Sequence, residues 1–439
     1  MLTFLFTKTP LLFFVQSFWR DEAFSFLLAK QSLIDILFLT AKDFNPPLYY
    51  LILHLWLNLF GSSEITLRTL SLIFFTLTIY KAYDMLTDVL HLSPKKTILY
   101  LFLFLSNPVL LYYAFEVRMY AMMGFLAVFS FQALLAQKHK TYILVTTLAL
   151  YTHYFMLLVL AVQIIWSLMF NKKPSHQKHT WRMFIYPLAF FLPWLIFFLS
   201  QKVFTNAFWI TKPNLIDFLY LPAVLYTGYE KEYMRAFGGI FGYRGVISVL
   251  AVLLLALIGS GARRINRDNR RLFWLLLLWA FLSPILVFII SFVSQSYYLP
   301  RYLLFSTVGF IFLLVYLLES LPRKVKSFFI LFLLVITLSY QLINLNSKKK
   351  FDFSTMSKDL KMILKPQDRV YVTDERDFQV AQYYLGEDRV FIYGKSYENL
   401  PAYIGKVLID KDDIRNQLPL APIKAAVIVH NRGYYFQMQ

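Results

Sequence analysis

Runs of about 18 or more apolar residues recur along this chain of 439 residues, each long enough to cross a hydrocarbon layer of roughly 30 Å. No water is at hand there to bond backbone N–H and C=O groups, so such segments pair their own, as helices. Composition agrees: 58% of residues are hydrophobic and 16% charged, where soluble domains sit near half and a quarter. A soluble enzyme and a disordered chain are both excluded. The chain has 14 glycines, no Walker A motif and no GxGxxG opening a helix, so no nucleotide cradle is legible. It has no cysteine, which removes disulfides, thiolate metal sites and thiol catalysis.

The apolar spans read as 1–18, 64–84, 97–115, 118–137, 141–152, 154–170, 184–201, 245–260, 272–293, 302–319 and 327–345. A further run, 46–60, is short for a crossing. Five loops, at 84–96, 138–140, 171–182, 261–271 and 322–326, hold sixteen basic residues against three acidic ones, Asp84, Asp88 and Asp268. They fall on one side only if 46–60 does not cross, and an excess of Lys and Arg marks the cytoplasmic side. The expectation is an all-α polytopic bundle of about eleven crossings in the plasma membrane. Its N-terminus is cytoplasmic, and 46–60 lies along the outer interface. No secretory cleavage site follows the first span, which reads as an uncleaved signal anchor.

Composition shifts after 346. The segment 347–439 opens with Lys348, Lys349 and Lys350 and carries 15 basic and 12 acidic residues. Short β-like runs, "RVYVTD", "RVFIYG", "KVLID" and "AAVIVH", alternate with helix-like stretches at 354–365 and 376–385. The chain is expected to divide into a membrane module, 1–346, and a small extracytoplasmic α/β domain, 347–439.

The outer loops hold the residues able to do chemistry. "FWRDEAFS" places Asp21 and Glu22 just past the first span. They either cap a helix over 22–40 or hold a carboxylate at the membrane boundary as a general base. Asp43 and Asn45 precede a Pro-Pro turn that ends one helix and starts the next. "YYAFEVRMYA" sets Glu116, Arg118 and Tyr120 between two spans, as an interface ion pair or as the lining of a functional cavity. His153, in "LYTHYF", is a lone histidine, and a zinc site needs three or four convergent ligands. Arg301 and Tyr302, in "LPRYLLF", are either a snorkelling cation with its aromatic belt or a fork for a lipid phosphate.

The run from "FWRDEAFS" through "DFNPPLYYLILHLWLNLFG" to "FEVRMYAM" and "YTHYF" resembles the GT-C glycosyltransferases. It is most similar to the family 39 type, the group of protein O-mannosyltransferases and lipid A aminoarabinose transferase. The resemblance covers about 1–170 in order and continues at "PRYLLF". It implies an inverting sugar transfer from a polyprenyl-phosphate donor to a lipid, protein or glycan acceptor on the outer face. It makes Asp21 the catalytic carboxylate, with Glu22 its neighbour. Asp43 and the "NPPL" turn line the donor or acceptor, Glu116 and Arg118 stand near the sugar, and Arg301 holds the donor phosphate. Asn45 stands where many relatives carry a His or Lys. The resemblance fixes no cofactor and leaves a divalent metal open. A flippase for lipid-linked sugars is the alternative, with a non-catalytic scaffold as a further one; neither needs a base.

Overall fold

The structure, a computed structural model, describes residues 2–170, 174–201, 209–230, 240–266 and 270–437. The expected cytoplasmic charges at 172, 173 and 267, and part of the expected outer loop 202–244, lie outside the described residues. Among the described residues, six helices are long and apolar enough to cross a membrane, or seven if one bent pair counts as a single span. They begin with Glu64–Asp88 and end with Arg323–Ser347. Three shorter apolar helices, Leu48–Phe60, Tyr120–Leu135 and Met156–Phe170, stand beside them. Eleven crossings would require, besides the six and the bent pair, that Tyr120–Leu135, His139–Leu150, Met156–Phe170 and the broken first span traverse the layer, with Leu48–Phe60 left at the interface.

Two expected spans are broken, each at a proline. The first falls into Leu2–Lys8 and Leu12–Val15, separated at Thr9 and Pro10. Proline has no N–H to continue the ladder and clashes with the preceding turn. The run 97–115 becomes Pro94–Leu105 and Pro108–Ala114, bent by 68°. At that break Asn107 caps the second helix, its side-chain oxygen accepting from the N–H groups of Val109 and Leu110. The expected helix 22–40 is also two, Arg20–Ala29 and Leu33–Ala41. Ser32 starts the second by accepting from the N–H of Asp35. The 46–60 run is the 13-residue helix Leu48–Phe60, opened by Pro47.

The span Pro300–Ser320 lies at the centre of the bundle, 83% buried, whereas the other spans are between 28% and 44% buried. Lipid tails are as apolar as leucine, so packing rather than water exclusion joins such helices, and small residues permit close approach. Gly309 does this against Trp279, where an added Cβ would lie 2.5 Å from the indole. Large apolar side chains such as Ile185, Phe190, Ile196 and Leu331 stay exposed on the outside of the bundle, where lipid would cover them.

Beyond Ser347 the chain forms a five-stranded sheet. Its strands are β1 Arg369–Val372, β2 Val390–Tyr393, β3 Ile414–Arg415, β4 Ala425–Val429 and β5 Gly433–Gln437. Their order is β3-β2-β1-β4-β5, parallel except for the β4–β5 hairpin. Helix Phe378–Leu385 crosses from β1 to β2 and packs on helix Arg20–Ala29 of the membrane module. Three of the four β-like runs are strands. "KVLID" instead holds a 3-10 turn, Lys406–Leu408, because Gly405 at φ 81° turns the chain out of extension. The hairpin strand β5 was not foreseen.

Candidate functional site

A cavity of about 460 Å³ opens where helix Arg20–Ala29, the Pro-Pro turn and the small sheet domain meet. Asp21, Asp43, Asn45, Arg118, Tyr120, His153, Arg301 and Tyr302 all border it. Glu22 and Glu116 do not. Helix geometry separates the "DE" pair: successive side chains are about 100° apart at 3.6 residues per turn. Asp21 therefore faces the cavity and Glu22 faces the bundle interior.

Asp21 is held between arginines. Arg20 donates from Nε to Oδ1 at 3.0 Å, and Arg301 Nη1 lies 3.9 Å from Oδ2. Burial alone would raise this carboxyl, but Arg20, Arg118 and Arg301 outweigh it and hold it down at about 2. Asp43 moves the other way: burial raises it, against the pull of Arg118. Asn45 Nδ2 donates to Asp43 Oδ2 at 3.4 Å. The cavity thus pairs a fixed anion with a carboxyl of higher proton affinity, a separation typical of sites that divide proton-transfer roles.

Arg118 donates to Tyr50 Oη at 3.2 Å and Ser25 Oγ at 3.4 Å, and its Nε has no hydrogen-bond partner among the described residues. Arg301 lies over the rings of Trp19, Trp209 and Tyr302 at 5.2–5.7 Å, a stacking arrangement that suits a planar guanidinium. Its Nε also lacks a partner among the described residues. Burial, with Arg118 nearby, holds His153 down at about 3, so the ring is neutral. The N–H of Phe155 donates to its Nδ1, which leaves the proton on Nε2. Among the described residues no three His, Asp or Glu side chains converge tightly enough to ligate a metal ion.

Glu22 is fully buried and fully bonded. Arg68 grips it bidentately, Nε to Oε1 and Nη2 to Oε2, both 2.8 Å. Lys350 Nζ donates to Oε2 at 2.7 Å, and the N–H of Val117 donates to Oε1 at 3.2 Å. The remaining Arg68 donors reach the carbonyls of Phe14, Gln16 and Ser17, so all five are used. One carboxylate therefore ties together the first loop, span Glu64–Asp88, the Glu116–Arg118 loop and the linker to the sheet domain. Ser71 Oγ adds a bond to the carbonyl of Glu116 at 2.6 Å.

The sequence reading missed the sheet domain's share of the cavity wall. Gln379, Tyr403, Ile404 and Gly405 border it, with Arg20 5.8 Å from the Tyr403 ring centroid. A Cβ on Gly405 would lie 2.5 Å from both Gln379 Nε2 and Phe24, so only glycine lets this turn close on helix Arg20–Ala29. The glycine amid "YIGK" was the one local signal. Trp209 carried none.

Glu116 sits just outside the cavity, 1% exposed, and burial pushes it up to about 7 against Lys350 and Arg301, with Glu22 and Asp21 reinforcing the rise. Its folded value exceeds its unfolded one, so the native state binds more protons. Stability is then full below about 4.5 and falls as pH rises toward 7. The cost is on the order of 3 kcal/mol. Between pH 5 and 8 the melting temperature of purified wild type should fall relative to that of Glu116→Gln. Parallel curves would refute this reading of Glu116.

This assembly of apolar helices, broken at a charged cavity and closed by a small α/β unit, shares its fold with solved structures of ArnT. Two solved structures of ArnT from Cupriavidus metallidurans are similar to it. The apo structure superposes with a TM-score of 0.63 at 11% identity, over 97% of this chain and 92% of that one. The structure bound to undecaprenyl phosphate gives 0.60 at 11% identity, over 98% and 93%. At such identity the likeness is one of fold. No protein-family model matches the chain, and no curated protein matches it by sequence.

Proposed function

We propose that this protein is an inverting membrane glycosyltransferase. It moves a sugar from a polyprenyl-phosphate donor to a lipid, protein or glycan acceptor at the outer face of the cell membrane. The observation that carries the reading is the pairing of Asp21 with Arg301 across 3.9 Å in a buried cavity where bundle and sheet domain meet. The GT-C fold supports it, and one structure with that fold binds undecaprenyl phosphate.

The acceptor's hydroxyl or amine attacks the anomeric carbon from the Asp21 side. Its proton passes to Asp21 as the new bond forms. The bond from the anomeric carbon to the phosphate oxygen breaks, and its electron pair stays with the lipid phosphate. Arg301 offsets the charge that develops there. Asp21 by itself is a weak base, because three arginines stabilise its anion. A bound phosphate draws on Arg301 and adds its own negative charge, and both effects raise Asp21 toward the working range. Donor binding thereby arms the base. Arg301→Ala should weaken binding of a polyprenyl-phosphate sugar at least tenfold, measured in nanodiscs. Unchanged affinity would remove Arg301 from the phosphate.

A further inference from the structure

Five side chains close a ring around part of the large cavity. Asp21 Oδ1 accepts from Arg20 Nε at 3.0 Å, and Arg20 lies 5.8 Å from the centroid of the Tyr403 ring. The Tyr403 ring stands 6.5 Å from that of Trp209, and Arg301 lies over Trp209 at 5.2 Å. Arg301 Nη1 then returns to Asp21 Oδ2 at 3.9 Å. All five residues border the cavity. Tyr403 comes from the sheet domain, in the 3-10 turn Ala402–Ile404 that ends at Gly405. The sheet domain thus completes a rim that begins at Asp21 and ends at Arg301.

Gln379, on helix Phe378–Leu385, borders the same cavity and is 1% exposed. Its Nε2 donates to the carbonyl of Gly405 at 3.1 Å. A carbonyl only accepts, so this bond fixes which end of the amide is nitrogen. The other end, Oε1, is buried and has no hydrogen-bond partner among the described residues. Buried polar atoms are almost always hydrogen-bonded, and one left unmatched beside a cavity is completed by what the cavity binds. An amide oxygen accepts and cannot donate. A hydroxyl or an ammonium matches it, a carboxylate is repelled, and a bare carbon leaves it unpaired.

We propose that Gln379 selects the sugar: its Oε1 accepts a hydrogen bond from one hydroxyl or amino group of the sugar held within the ring. This rests on the glycosyl-transfer reading above, in which Asp21 meets the acceptor and Arg301 the leaving phosphate, so the ring that joins them holds the sugar. The transferred sugar therefore carries a hydroxyl or an amine where it meets the sheet domain, and neither a carboxylate nor a deoxy carbon. A site built to bond such a group rejects the analogue that lacks it, because the buried oxygen is then left unpaired. The bundle supplies the base, and the sheet domain supplies discrimination among sugars.

The test measures binding to wild type, Gln379→Met and Gln379→Glu in zwitterionic nanodiscs. The probes are bare polyprenyl phosphate, a panel of polyprenyl-phosphate sugars, and monodeoxy analogues of the sugar donor that binds most tightly. Gln379→Met should weaken that donor about tenfold, the worth of one hydrogen bond, and leave bare polyprenyl phosphate within about twofold. One monodeoxy analogue should bind wild type about tenfold more weakly than its parent and lose nothing further in Gln379→Met. Gln379→Glu, protonated by burial, keeps both an acceptor oxygen and a donor for Gly405, and should restore most of the affinity. Equal affinity of wild type for the parent and every monodeoxy analogue would overturn the inference, whether or not the variants fold, and leave the transferase reading standing. An equal loss for bare lipid phosphate and sugar donor in Gln379→Met would make Gln379 a prop for the Gly405 turn and overturn it too. No binding of any sugar donor by wild type would overturn both readings.

Discussion

Asp21→Asn lowers turnover by about 10²–10⁴-fold, the usual worth of a positioned base, and leaves donor binding within a few-fold of wild type. The substitution keeps the side chain's shape and one oxygen to accept from Arg20, so the cavity wall stays in place. What it loses is the anion that takes the acceptor's proton. Asp43→Asn is the companion measurement, because Asp43 shares the cavity and burial raises its proton affinity. Full activity in Asp21→Asn with a dead Asp43→Asn would transfer the base role to Asp43. Full activity in both would leave the cavity without a carboxylate base.

The second large effect is on stability. Glu22→Gln should destabilise the fold by about 3–5 kcal/mol, because removing one partner of a buried ion pair strands the other. Arg68 is 0% exposed and would keep its full charge with only carbonyl oxygens and an amide to face. Lys350 would lose its carboxylate as well. Thermal unfolding of the detergent-solubilised protein, read beside turnover, separates two roles for Glu22. A positioning residue loses stability and activity together, whereas a catalytic one would lose turnover with an unchanged melting temperature.

The charged residues that the structure gathers were legible because ionisable groups beside lipid are too costly to scatter. Asp21, Asp43, Arg118, His153 and Arg301 each stood out against apolar neighbours, and they meet in one cavity. The division of Asp21 from Glu22 was not legible, since it depends on where helix Arg20–Ala29 begins; the expected helix 22–40 hid that register. Ser32 with Asp35 three residues later was a start signal for the second helix that went unread. Arg68 lies within the run read as the span 64–84, and only the fold shows it saturated by Glu22 and three carbonyls. The proline breaks at 10 and 108 follow from local chemistry, but their angles depend on packing. The contribution of Gln379 and Tyr403 to the cavity joins segments more than 300 residues from Asp21 in the chain, a pairing no local pattern encodes.

Sugar transfer from a lipid-linked donor is tested most directly with purified protein in nanodiscs and a panel of radiolabelled polyprenyl-phosphate sugars. Wild type should release label from one donor, and Asp21→Asn should release little or none. Binding of a donor without release, together with Asp21-independent movement of that donor across proteoliposomes, would contradict it and identify a transporter instead.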